Sequence, residues 1–253
     1  MEVQIASLLN KIIVCSCLMK NNWINYWNQK NIWTESDLWK KNVKVFFNET
    51  SHILNYNKKS VVLDIGCGNG DYANELSNKV DKIYCIDVSE EYVNSCKARF
   101  SNNKNIKVLK LSDDYTNLSF LKENKFSIII VNSVVQYFNS QQDIIDLVKS
   151  IKKISSENAC LLISDIEVNN SKIKSNLKLI YNSIFNGYFF SLIKMFFNLF
   201  KDKKYSQTIK LQSLLIVNLD KLINDLSIFA REVIIIKKNI TTNVDRKHLL
   251  IKL

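Results

Sequence analysis

Val61-Val62-Leu63-Asp64-Ile65-Gly66-Cys67-Gly68-Asn69-Gly70 is a β-branched run that ends in three glycines within five positions. The whole chain of 253 residues holds only four glycines and no proline, whereas average usage would supply roughly eighteen glycines. Glycines this scarce, gathered at one spot, mark a turn that needs unusual backbone geometry. Residues 60–65 read as a strand and 71–77 as a helix, so the glycines sit between the two.

Two familiar nucleotide loops do not fit. A dinucleotide-binding loop needs a third glycine where this chain has Asp71, and no Gly-Lys-Ser/Thr follows to make a P-loop. Asp64, two residues before the first glycine, would repel a pyrophosphate seated on the following helix. The same carboxylate suits a ligand carrying an ammonium group. S-adenosylmethionine (SAM) has no phosphates, and its methionyl part bears an ammonium beside a sulfonium. The loop therefore favours SAM over NAD or ATP.

Strand and helix alternate outward from this loop. Residues 82–86 form a second strand ending at Asp87, and 89–100 a helix capped by Ser89 with Glu90 and Glu91 in its first turn. Residues 106–111 make a third strand, the nearly all-apolar 126–131 a fourth, 143–154 a helix and 159–164 a fifth strand. Upstream, 33–54 reads as helix with Ser36 as N-cap. Such alternation specifies an α/β fold with a parallel sheet and right-handed crossovers. At the end, a helix at 218–228 is followed by two strands, 232–237 and 248–253, with no helix between them, so an antiparallel hairpin and a mixed sheet are expected.

Asp-Ile-Gly-Cys-Gly-Asn-Gly resembles motif I of the class I SAM-dependent methyltransferases, and the resemblance runs from 60 to 165. It implies a Rossmann-like fold: a mostly parallel seven-stranded sheet with an antiparallel last strand, helices on both faces and a helical lid insertion. It also implies a SAM site made of Asp64, Gly66, Cys67, Gly68, Gly70, Asp87, Val88, Asp113, Asp114, Asn132 and Ser133. Asp87 lies where the family's acidic residue holds the ribose hydroxyls. Asp113, or Asp114 if the register slips by one, falls near the position that meets the adenine amino group. FSIIIVNSVVQYF, 126–138, resembles the fourth strand and the loop bordering the transferable methyl, with Ser127 replacing the usual Asp.

The rest of the chain is read as follows. Residues 1–18 form an N-terminal extension, with Met19 an alternative start; 19–168 hold cap helices and the cofactor core; 169–212 form the lid; and 213–253 complete the core. The stretch 177–200 is apolar, but Lys178, Asn182, Asn186, Lys194 and Asn198 interrupt it, and Ser191, Lys194, Asn198 and Lys201 form a polar stripe at helical spacing. It is read as an amphipathic lid, with an interfacial membrane helix as the alternative. Gly187 within it predicts a break.

The net charge of +11 rests mainly on dispersed lysines, with only Arg99, Arg231 and Arg246 as arginines, so nucleic acid is not the partner it implies. Six cysteines show no C-x-x-C spacing, which favours reduced core thiols, a cytoplasmic setting and no metal. The expected activity is methyl transfer to oxygen or nitrogen of a small or medium-sized acceptor. A membrane-associated enzyme acting on a lipid or quinone and a non-catalytic SAM-binding scaffold stand as alternatives. Asp165 and Tyr137 are the candidate catalytic groups, each with a structural role as its rival, and no base is singled out. His248 is read as structural. Trp23, Tyr26 and Trp27 either close over the cofactor or pack the core.

Overall fold

The computed structural model describes residues 22–29, 36–168, 179–181, 183–185, 187–243 and 245–253. The proposed extension at 1–18, Met19, and Lys178, Asn182 and Asn186 lie outside them.

Seven strands form one sheet: β1 Val61–Ile65, β2 Lys82–Asp87, β3 Ile106–Lys110, β4 Phe126–Asn132, β5 Ser155–Ile166, β6 Glu232–Ile235 and β7 Lys247–Lys252. Their spatial order is β3-β2-β1-β4-β5-β7-β6. The first five run parallel, and β7 enters antiparallel between β5 and β6. The terminal hairpin is therefore real, and its second strand is the one that joins the parallel core. Strand β5 is longer than its apolar run because Ser155 to Asn158 extend the backbone pairing.

The helices are α1 Asn22–Trp27, α2 Asp37–Ile53, α3 Asp71–Leu76, α4 Glu90–Arg99, α5 Gln141–Ile154, α6 Phe189–Lys201, α7 Lys203–Leu211 and α8 Leu219–Ser227. Ser36 and Ser89 accept from the backbone N–H three residues on, as their N-cap readings require. Ser140 and Asn218 cap α5 and α8 in the same way.

Each face of the sheet carries its own core. Leu63, Ile65 and Ile129 pack with Leu147, Val148 and Ile151 of α5 and Leu222 and Leu226 of α8. On the other face, Val62, Ile83 and Ile130 pack with Phe46 of α2, Ala73 and Leu76 of α3 and Cys96 of α4. Strand β4 is buried on both sides, which is why its sequence is a continuous apolar run rather than an alternating one.

Gly187 adopts φ +70°, and Tyr188 N–H donates to Ser183 C=O across the turn, so α6 starts only at Phe189. The predicted break is present. Leu192 of α6 packs with Leu38 of α2 and Tyr188. The helix is amphipathic as read, with Leu192 buried and much of its remaining apolar surface uncovered. Phe190, Phe197 and Phe200 are exposed, because only a narrow strip of α6 meets the body of the protein.

Candidate functional site

The parallel strands end in loops along one edge of the sheet, where open α/β folds bind ligands. At the end of β1, Gly66, Gly68 and Gly70 all have positive φ. A Cβ on Gly66 would meet Val134 Cγ2 at 2.3 Å, and one on Gly70 would meet Phe100 Cε2 at 2.5 Å and Cys96 Sγ at 2.7 Å. At Gly68 nothing lies within 4 Å. Two of the glycines thus let the loop approach its neighbours closely, and the third leaves space open above it.

That space is a cavity of about 880 Å³. Gly66, Gly68, Asp87, Val88, Asn132 and Ser133 line it, as do Trp23, Trp27 and Tyr137. Asp87 Oδ2 accepts from Gly68 N–H at 2.9 Å and Oδ1 from Ser89 N–H at 2.8 Å, so one carboxylate ties the loop to the end of β2. Burial pushes Asp87 up to about 6, against the pull of these two hydrogen bonds. The rest of the lining is largely apolar, including Leu111, Tyr115 and Phe138, and among the described residues it contains no lysine or arginine. Such a pocket suits a nucleoside without phosphates: apolar and aromatic surface for a base, a carboxylate for ribose hydroxyls, and no cation for an anion.

Other expected residues lie elsewhere. Cys67 is buried and Gly70 packs against α4, both behind the cavity. Asp64 is buried beneath the loop; its Oδ2 accepts no hydrogen bond, and burial, followed by the nearby Cys96 and Asp87, pushes it up to about 8. Trp27 Nε1, in the cavity wall, is likewise without a partner. A ligand that brings a donor to Asp64 and an acceptor to Trp27 would relieve unmade hydrogen bonds worth about 1–3 kcal/mol each.

Asp113 and Asp114 do not line the cavity and are exposed. Strand β3 stops at Lys110, and a tight turn follows in which Asp114 C=O accepts from Asn117 N–H and Asp114 Oδ1 from Thr116 Oγ1. That turn directs the two carboxylates outward, and Leu111 and Tyr115 supply the lining from this segment.

A second cavity of about 1230 Å³ shares Trp27, Trp39, Ser133 and Tyr137 with the first. Asp165 from the end of β5, Gln136, Asn243 and Arg246 form its polar side, and Met195, Phe196 and Leu199 of α6 an apolar side. Asp165 has φ +64° and Ser133 φ +57°, conformations that cost non-glycine residues about 1–3 kcal/mol each. Asp165 sits in an irregularity of the β5–β7 pairing between Ile163 and Ile166, a feature that re-aims a side chain. Its Oδ2 accepts from Ser133 Oγ at 2.8 Å, and its N–H donates to His248 Nδ1 at 3.2 Å. Burial pulls His248 down to about 4, so the ring is neutral at pH 7 and serves as a backbone support, in line with its structural reading.

Helix α1 closes the first cavity. Ser89 Oγ donates to Trp27 C=O and Tyr26 OH to Asp202 Oδ2, while Tyr137 packs against both Trp23 and Trp27, with ring centroids 4.9 and 5.3 Å apart. Trp23, Trp27 and Tyr137 therefore line the cavity, Trp23 being fully buried as well, whereas Tyr26 is buried without lining it. Burial raises the Tyr137 phenol well above its ordinary range, which leaves it a neutral group.

Sequence spacing gave no sign of one further cluster. Cys67, Cys85 and Cys96, from the glycine loop, β2 and α4, bring their Sγ atoms within 4.8 Å of one another, all buried. Hydrogen bonds with Cys85 and Cys96, together with burial, push the Cys67 thiol up.

Residues 62–157 match the family model described as "Methyltransferase domain". The structure is similar to N-methyltransferase NodS of Bradyrhizobium japonicum (TM-score 0.54, 10% identity, 92% of this chain and 97% of that one). It is also similar to magnesium protoporphyrin IX methyltransferase of Synechocystis (TM-score 0.54, 13% identity, 88% of each chain). Both of those proteins were crystallised with S-adenosylhomocysteine (SAH). Among curated proteins, a segment of chondramide synthase from Chondromyces crocatus is 30% identical over 109 residues, 42% of this chain and 3% of that protein. A nonribosomal peptide synthetase of Salinispora arenicola is 27% identical over 106 residues, 42% of this chain and 1% of that protein. The chain thus spans only a few per cent of the length of the curated relatives it matches. The fold is the Rossmann-like one of these methyltransferase structures, a mostly parallel seven-stranded sheet with an antiparallel β7. The match to the methyltransferase-domain model falls on the part of the chain that holds the glycine loop and strands β2 to β4.

Proposed function

We propose that this protein is a SAM-dependent methyltransferase acting on oxygen or nitrogen of a small or medium-sized acceptor. The observation that carries this reading is the pair of joined cavities at the strand ends. One is phosphate-averse and bounded by the glycine loop and Asp87; the other opens beside it under α6. Gly66, Gly68, Asp87, Val88, Asn132, Ser133 and Trp27 would hold SAM, with Asp64 beneath the loop favouring its ammonium. Bound SAM supplies a methyl group on a sulfonium, an electrophile that needs only a well-placed nucleophile. The protein's part is to orient the acceptor and exclude water, to which Trp27, Trp39 and Tyr137 contribute at the junction of the two cavities. Within the lid read at 169–212, α6 and α7 are the described helices that flank the second cavity or follow it in the chain.

Calorimetric titration with SAM and SAH tests this reading: micromolar binding is expected, and no heat with either would refute it. Turnover with an acceptor panel separates an enzyme from a SAM-binding scaffold.

A second reading, membrane association, is favoured by one face of α6. Phe190, Lys194, Phe197 and Lys201 follow each other at helical spacing, all exposed, with Phe190 at 84%. Aromatics alternating with lysines suit an anionic lipid interface. No helix among the described residues is long and apolar enough to cross a membrane, so the association would be peripheral. Co-sedimentation with phosphatidylserine vesicles that survives high salt would support it, and complete release by salt would oppose it.

A further inference from the structure

Among the polar groups of the second cavity without a hydrogen-bond partner are three acceptors and two donors, the donors being Trp27 Nε1 and Arg246 Nη1. Asp165 Oδ1, Gln136 Oε1 and Asn243 Oδ1 each accept no hydrogen bond. Gln136 is almost fully buried, and its Nε2 is already committed to Ser133 C=O at 2.9 Å, so the unpaired oxygen cannot be exchanged for the amide nitrogen without losing that bond. The charge balance points the same way. Arg246 is the only cation lining the cavity among the described residues. Its Nη1 lies 2.7 Å from Glu167 Oε2 and its Nε 3.8 Å from Asp165 Oδ1. Arg246 is therefore flanked by two carboxylates, of which Asp165 lines the cavity, and the neutral His248 adds nothing to offset them. Met195, Phe196 and Leu199 add lining without charge.

From the unpaired acceptors, the excess carboxylate and the apolar lining we infer that the second cavity takes an amine joined to an apolar body, with Asp165 binding its ammonium end. The inference rests on the methyltransferase reading and names its acceptor. An acceptor carboxylate would meet the Asp165 carboxylate, while Arg246 already lies in ion-pair range of Glu167 and Asp165. A neutral alcohol would satisfy one or two of the oxygens and leave the charge unmatched. The Asp165 backbone, anchored on His248, and its side chain, anchored by Ser133, hold the carboxylate in place before the amine arrives. For such an acceptor the transfer balances without any oxidant: the ammonium gives one proton to water, and the nitrogen lone pair forms the new N–C bond. The S–C bond breaks with its electron pair left on sulfur, yielding a methylated ammonium and neutral SAH.

The test is calorimetry on the SAH-loaded full chain with three probes that share one ring: 2-phenylethylamine, 2-phenylethanol and phenylacetate. The amine is expected to bind at least about tenfold more tightly than the alcohol, the discrimination expected of a charged hydrogen bond, and phenylacetate to give no heat. Asp165→Asn should abolish the preference for amine while SAH affinity is unchanged. Asparagine tolerates positive φ better than most residues, so the variant keeps the backbone geometry, and retained SAH binding reports that it is folded. If the variant does not fold, the wild-type comparison still decides the class. Equal binding of amine and alcohol, a preference for phenylacetate, no heat with any probe, or an undiminished preference in a folded Asp165→Asn would each overturn the inference. Failure of SAH to bind would instead strike at the methyltransferase reading, and the same three probes on the unloaded protein would then judge the amine preference by itself.

Discussion

Gly68→Ala and Gly70→Ala are two residues apart in the same loop, yet the structure assigns them different consequences. Both glycines have positive φ, +54° and +74°, so alanine pays a left-handed backbone cost of about 1–2 kcal/mol at either position. Only at Gly70 does the new methyl enter packed space, meeting Phe100 Cε2 at 2.5 Å and Cys96 Sγ at 2.7 Å. Both neighbours are buried in the core on that face of the sheet, where overpacking adds about 1–3 kcal/mol. The backbone cost is common to the two variants and cancels, so Gly70→Ala should be the less stable by that amount. At about 2–4 °C per kcal/mol for a chain of this size, its melting temperature should fall about 2–12 °C below that of Gly68→Ala. Binding should show the opposite order. The Gly68 methyl projects into open space in the first cavity and should weaken SAH by about tenfold, a little over 1 kcal/mol. Gly70→Ala should bind SAH normally while folded. Thermal unfolding and SAH calorimetry on both variants read the two effects separately. Equal melting temperatures, or a larger binding loss at Gly70 than at Gly68, would refute the assignment of Gly68 to the cavity and Gly70 to the core.

Asp87→Ala should weaken SAH binding and also lower the melting temperature of the free protein, because it frees the buried Gly68 N–H that Asp87 accepts; unchanged SAH affinity would show that the cavity is not the cofactor site. Asp64, held up to about 8 in the fold against an ordinary 3.8, binds more protons folded than unfolded between those values. The stability it contributes is complete below about pH 4 and is lost as pH rises toward 8, so Asp64→Asn should flatten the fall in melting temperature from pH 5 to 8, and an unchanged slope would refute the assignment. If Asp64 meets an ammonium, SAM binding at pH 7 should release protons, which titrations in buffers of different ionisation enthalpy would detect. Replacing Phe190 and Phe197 with serine should leave SAH binding unchanged and abolish salt-resistant vesicle binding; loss of SAH binding would mean α6 is structural instead.

Much of the fold was legible because its signals are local. Apolar runs ending in glycine or aspartate marked the parallel strands, and Ser36 and Ser89 marked helix starts. The absence of a helix between the last two strands announced the hairpin. The break at Gly187 could be read from one residue, since a glycine in a helical pattern weakens it wherever it falls. The nature of the ligand was equally local: Asp64 before the glycines and Asp71 in place of the third glycine of a dinucleotide-binding loop argue against a phosphate without any knowledge of the neighbours.

What only the tertiary structure decided is which side chains share a space. Asp113 and Asp114 stand next to the strand end in sequence, but the turn held by Asp114 points them outward and hands the lining to Tyr115. Cys67, Cys85 and Cys96 form a cluster at spacings that no motif encodes, because they arrive from three elements. The second cavity draws on residues as distant as Leu38, Met195 and Arg246, and Asp165 acquires its meaning from a serine, a histidine and an arginine on other segments. Local periodicity determines which backbone forms strand or helix. The order of the strands and the closing of helices over their ends determine which side chains converge, and those distances are set by the packing of the whole chain rather than by any one stretch of it.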